Sequence, residues 1–79
     1  MLKKRSFSIA GHRTSVALEP EFWAVLESAA QSSGRSLSAF VAEIDAQRGT
    51  RPLASALRVQ ALAESRSSTR TIEGGTNGT

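Results

Sequence analysis

The sequence predicts an α+β fold: one short strand near the N-terminus, two core helices and a third helix towards the C-terminus. Three observations carry that prediction. Arg13-Thr14-Ser15-Val16-Ala17-Leu18 alternates polar and apolar residues with the period-two signature of a strand. Pro20 follows at once and suits the first turn of a helix. Gly34-Arg35-Ser36 then reads as the end of one helix and the cap of the next. A lone strand with two helices has few partners for burial, so the strand is expected to pair antiparallel with that of a second copy.

Seventy-nine residues of which 39% are apolar fit one small domain. Chains of this size gain stability from oligomerisation, metals or disulfides. The sequence contains no cysteine, which excludes disulfides and thiolate-bound metals and suits a reducing cytoplasm. No run is long enough and apolar enough for a membrane span or a secretory signal, so a soluble cytoplasmic protein is expected. The formal charge is +3, and Lys3, Lys4, Arg5 and Arg13 all precede the first acid, Glu19. That polarity suggests a polyanionic partner for the N-terminal end.

Residues 3 to 9 form a second alternating run, with Phe7 and Ile9 on odd positions, whereas Val16 and Leu18 fall on even ones. The phase changes at Ala10-Gly11, where glycine permits either a bulge or a two-residue hairpin turn that sets Phe7 opposite Thr14. Otherwise residues 1–11 form a basic arm able to follow phosphates. The arm is the preferred reading, because a hairpin widens the sheet and hinders entry into a DNA groove.

The first helix is expected from about Pro20 to Ser33. Phe22, Leu26, Ala29 and Ala30 recur at helical spacing, and Trp23 and Val25 broaden that face. Glu19 and Glu21 lie at the positive end of its dipole. The second helix spans about Leu37 to Arg48, with Leu37, Phe40, Val41 and Ile44 as its apolar stripe and Gly49 as its stop. Together the strand and helices define residues 12–49 as the central domain. Val16, Leu18, Phe22, Trp23, Leu26, Leu37, Phe40, Val41 and Ile44 are the expected dimer core. Residues 50–64 add a third helix through Leu53, Leu57, Ala61 and the offset Val59 and Leu62. Residues 65–79 contain one large apolar residue, Ile72, and are expected to be disordered.

In a two-stranded antiparallel ribbon Thr14, Val16 and Leu18 cover the helices while Arg13, Ser15 and Ala17 point outward. Such a ribbon fits the major groove. There arginine bonds bidentately to guanine, serine reaches donors or acceptors, and alanine touches a thymine methyl. The start of the second helix offers unpaired backbone N–H groups beside Arg35, Ser36 and Ser38, a combination suited to phosphate.

The order Arg13 to Leu18, Glu19-Pro20, Phe22-Trp23, Leu26, Ala29-Ala30 and Gly34-Arg35-Ser36-Leu37-Ser38-Ala39-Phe40-Val41 resembles the ribbon-helix-helix family of Arc- and MetJ-type repressors. The likeness covers about residues 12–48. Gly11 to Val16, Phe22-Trp23 and the added helix from Leu53 to Leu62 are similar to short bacterial members of that family. The resemblance implies a homodimer that represses transcription, reading bases of double-stranded DNA through Arg13, Ser15 and Ala17. It also implies phosphate anchoring by Ser36 and Ser38, joined on charge grounds by Arg35, Lys3, Lys4 and Arg5. Family members usually carry a polar or long side chain where Ala17 stands. Readout here is therefore expected to rest on Arg13 with help from Ser15, sharpened by several dimers on repeated half-sites or by DNA shape.

Enzymatic activity is not expected. His12 is the single histidine, and without Cys or Tyr no set of nucleophile, base and orienting group can be assembled. The same count argues against a multidentate metal site, and no cofactor is expected. The rival reading is an antitoxin whose C-terminal region binds a toxin and which autoregulates its own operon. The scarcity of apolar anchors beyond Leu62 weighs against it.

Overall fold

The computed structural model describes residues 1–76, with side chains through residue 66. The chain runs β1 (Lys3–Ile9), β2 (His12–Leu18), α1 (Pro20–Ser32), α2 (Leu37–Gln47) and α3 (Leu53–Thr76). The α+β class and the three helices agree with the sequence reading.

The N-terminal segment does not. Residues 3 to 9 form a strand hydrogen-bonded antiparallel to β2 in the same chain, so the expected arm is one half of a hairpin. The register sets Phe7 opposite Thr14 and Ser6 opposite Ser15. Ala10 and Gly11 make the turn with φ of 52° and 81°, the paired left-handed conformation of a type I′ connection. Glycine adopts this without cost, whereas alanine does not, which is why the turn is faint in the sequence. What fixes the hairpin is burial, with Phe7 and Ile9 both in the core. The Phe7 ring lies 5.8 Å from that of Trp23 at a tilt of 41°. Each chain thereby gives β2 a partner on one edge, which the expectation of a strand awaiting a second copy did not include.

Glu19-Pro20 turns the chain into α1, whose first bond runs from the Phe22 N–H to the Glu19 carbonyl at 3.0 Å. The helix ends where Gly34 takes φ of 72°. The Gly34 and Arg35 N–H groups then bond back to the Gln31 and Ala30 carbonyls at 3.0 and 2.9 Å. These two bonds are a Schellman closure, and they satisfy carbonyls that the helix end would otherwise leave unpaired. Ser36 caps α2, its Oγ accepting from the Ala39 N–H at 3.1 Å. α2 stops before Gly49, and Pro52 opens α3 by accepting from the Ala56 N–H at 2.9 Å.

One core joins the inner face of the hairpin to all three helices. Val16, Leu18, Trp23, Leu26, Phe40, Val41 and Ile44 are buried in it, and Phe22 and Leu37 pack against it partly covered. Phe7, Ile9, Ala30, Ala56, Leu57 and Ala61 complete the cluster. Of the side chains expected in a dimer core, Val16, Leu18, Trp23, Leu26, Phe40, Val41 and Ile44 are thus already buried within the single chain, whereas Phe22 and Leu37 are only partly so. Each large aliphatic side chain so buried contributes about 1.5–3 kcal/mol. The single Trp is both packed and satisfied, since its indole N–H donates to the Lys3 carbonyl at 2.7 Å and so ties α1 to β1.

α3 does not end where the sequence turns polar. It continues through Ser65 to Thr76, where a disordered tail was expected from residue 65. No Pro or Gly interrupts residues 53–73, and Gln60 donates to Glu64 one turn on at 2.7 Å, so nothing local stops the helix. Residues 77–79 of that predicted tail lie outside the described residues.

Candidate nucleic-acid interface

Alternation along the hairpin sorts its side chains into two faces. Phe7, Ile9, Val16 and Leu18 turn towards the helices. Lys4, Ser6 and Ser8 of β1 share the outward face with Arg13, Ser15 and Ala17 of β2, in the cross-strand pairs Lys4 with Ala17, Ser6 with Ser15 and Ser8 with Arg13. All of these are exposed except Ala17, which is half-buried. The Ser6 and Ser15 hydroxyls meet at 3.0 Å across the middle of the ribbon. Since no acid precedes Glu19, the face combines two cations with hydroxyls and no negative charge.

The structure separates the sequence-predicted site residues. Arg13, Ser15 and Ala17 lie on one surface. Lys4 joins them there, although it was expected among the phosphate contacts of an arm. Ser6 and Ser8 belong to the same face and were missed, because placing them requires the β1 pairing that the arm reading gave up. Period-two alternation in residues 3 to 9 was the signal that could have found them.

Arg5 faces the other way. Its guanidinium pairs with Glu27 of α1 and stands 5.3 Å from the centre of the Trp23 ring. It works as a clasp between β1 and α1. Lys3 is exposed at the open end of the hairpin, with its carbonyl held by Trp23. Arg35 is also engaged: it pairs with Glu43, lies 5.2 Å from the centre of the Phe40 ring, and donates through Nε to the Ser33 hydroxyl at 3.2 Å. Ser36 and Ser38 are both exposed at the start of α2. The Ser36 Oγ accepts the cap bond from the Ala39 N–H and keeps its O–H as a donor, alongside the Ser38 hydroxyl and the remaining first-turn backbone N–H groups of that helix end.

The titration of Glu19 is displaced. The backbone hydrogen bond at Glu19 itself, and next the Arg58 guanidinium with Nε 3.1 Å from Oε1, hold its carboxyl below the usual 4.5. This contact pins α3 to the junction of β2 and α1, beneath the ribbon.

Among the described residues no helix is long and apolar enough to cross a membrane. A family profile described as a ribbon-helix-helix domain matches residues 2–65. No curated protein and no solved structure matches the chain.

Proposed function

This chain belongs to the ribbon-helix-helix domain family, a family of DNA-binding regulators, and we propose that it is a sequence-selective repressor of transcription working on double-stranded DNA. The observation that carries the proposal is the outward face of the hairpin. A rigid two-stranded ribbon, backed by a buried apolar face, presents Arg13 and Lys4 among hydroxyls with no acid in the strands. Its dimensions and donors suit the major groove, where arginine and lysine favour guanine and serine bonds to either kind of edge. The exposed start of α2, with Ser38 and the first-turn N–H groups, anchors a phosphate and fixes register without reading sequence.

Two copies act together as a homodimer, as ribbon-helix-helix domains generally do on DNA, so that two such anchors and two reading surfaces meet one operator. Affinity then has a steep salt dependence, the logarithmic slope being roughly −0.9 for each phosphate neutralised.

Selection of duplexes from a random pool by the full chain at low salt tests the reading. Enrichment of a common short motif, occurring twice at fixed spacing, is the expected result. Failure to retain any duplex, selected or random, overturns it.

One observation favours a second activity. Val59 and Leu62 of α3 are about half exposed, at 47% and 54%, on the helix that the antitoxin reading assigns to a toxin. In that case DNA binding serves autoregulation, and the product of an adjacent gene should co-purify with the wild-type chain but not with Leu62→Glu.

A further inference from the structure

The connection from α2 to α3 is a braced cationic corner. Gly49 follows α2 with φ of 62°, and the Arg51 N–H then donates to the Arg48 carbonyl at 3.1 Å. The Arg48 side chain returns the contact, Nη1 donating to the Arg51 carbonyl at 2.7 Å while Nε donates to Asp45 Oδ1 at 2.6 Å. One guanidinium is thereby fixed at the end of the helix. The other, that of Arg51, is exposed and makes no ion pair or hydrogen bond among the described residues.

Behind this corner α2 and α3 form a cleft of about 240 Å³, lined by Gln47 and Arg48, by Arg51 of the connection, and by Ala56, Val59 and Gln60 of α3. Val59 is 47% exposed, and Leu62, three residues on and so on the same side of the helix, is 54% exposed. The cleft therefore joins two cations to an uncovered apolar strip. Its acids are already engaged, Asp45 by Arg48 and Glu64 by the Gln60 amide at 2.7 Å. Two guanidinium groups outweigh Asp45 together with the carbonyl end of α2, which carries about half a negative charge.

Deepening the partner-binding reading of α3 given above, on which it rests in treating Val59 and Leu62 as a protein contact, we propose that the α2–α3 cleft receives an acidic side chain of a partner protein. The Asp or Glu carboxylate meets the Arg51 guanidinium, and apolar residues next to that acid cover Val59 and Leu62. Size selects a side chain over a free ligand, since pockets for small molecules run to about 300–1,000 Å³.

Position and polarity select protein over nucleic acid. Arg48 lies ten residues beyond Ser38, about 15 Å along the helix from the proposed phosphate anchor. A phosphate backbone also offers no apolar surface to Val59 and Leu62. Charge selects against a second copy, because a twofold contact presents the same cationic surface from both sides. DNA and an acidic partner can thus be held at once, from opposite ends of α2.

The test pans the full chain against random dodecapeptides displayed on phage and titrates the enriched peptides after synthesis. The expected consensus sets Asp or Glu beside two large apolar residues. Arg51→Glu should weaken these peptides about tenfold or more and, panned afresh, select Lys or Arg in place of the acid. Leu62→Glu should weaken them about as much, and Arg51→Lys should keep most of the binding. Both substituted side chains are exposed, so an unchanged urea midpoint verifies the fold.

Enrichment without an acid, or acidic peptides bound equally by Arg51→Glu, overturns the proposal. Loss of self-association in Leu62→Glu also overturns it and assigns the strip to a second copy, and loss of duplex binding in Arg51→Glu does so in favour of phosphate. A product of the adjacent gene that needs Leu62 but ignores Arg51→Glu leaves the antitoxin reading standing and this proposal refuted. Acidic peptides held through Arg51 with no co-purifying product remove the antitoxin reading alone.

Discussion

The two faces of the hairpin are made by the same fourteen strand residues, yet they carry opposite chemistry. The inner face is Phe7, Ile9, Val16 and Leu18, closed over by three helices. The outer face is Lys4, Ser6, Ser8, Arg13 and Ser15, open to solvent. Neighbours in sequence are thus assigned to different tasks, as Lys4 and Arg5 show: one cation stands on the exposed ribbon, the other is locked against an acid and an indole ring. Identity of charge does not predict role. Parity along the strand does, once the strand has a partner.

Substitutions can break this division of labour at either face. The largest effect is expected inside, where Leu18→Ala removes a fully buried side chain at the meeting point of sheet and helices. It should destabilise the fold by about 2–5 kcal/mol, seen as a lower urea midpoint. The outer face should behave conversely. Arg13→Ala is expected to cost about 1–3 kcal/mol in binding to the selected duplex and to relax base preference, with no change in the urea midpoint. Equal losses on selected and random duplexes would show that Arg13 does not read bases.

The turn that holds the two faces in register comes next. Gly11→Ala places a side chain at φ of 81° and should cost about 1–2 kcal/mol in thermal unfolding. Ala10→Asn, which suits a type I′ turn, should raise Tm instead. Unchanged stability in both variants would argue that the hairpin is absent in solution.

Arg5→Ala sharpens the contrast between adjacent cations. Losing the ring contact and the partly exposed pair with Glu27 should cost about 0.5–1 kcal/mol of stability, while base discrimination is retained. The smallest effect belongs to Glu19. Its folded-state pKa is lowered, so its contribution is present above the ordinary carboxylate value and is lost as pH falls through the lowered one. A stability titration should therefore show a slight acid-side decline below pH 4.5 that Glu19→Gln removes.

The helices were legible in the sequence because their boundaries are local events. Pro20, the Gly34-Ser36 closure and cap, Gly49 and Pro52 each act on backbone groups within a turn of themselves, so reading them needs no knowledge of the rest of the chain. The apolar stripes of α1 and α2 were legible for the same reason. Arg13, Ser15 and Ala17 could be placed on one face because alternation alone settles which side chains share a side.

The identity of the partner strand was not legible. Ala10-Gly11 is a weak turn signal, and the choice between arm and hairpin is decided by Phe7 and Ile9 entering a core with Trp23 and α3, contacts far apart in sequence. The fate of Arg5 and Arg35 followed from the same cause, since Glu27, Trp23, Glu43 and Phe40 come within reach only after the helices pack.

By itself, then, the sequence determined where helices start and stop and which strand residues alternate, since those depend on hydrogen bonds and sterics among near neighbours. Only the tertiary structure decided that β2 finds its mate nine residues upstream, and with it that Lys4, Ser6 and Ser8 stand beside Arg13 and Ser15. Burial of apolar surface is non-directional, so it selects among pairings that local chemistry leaves nearly equal.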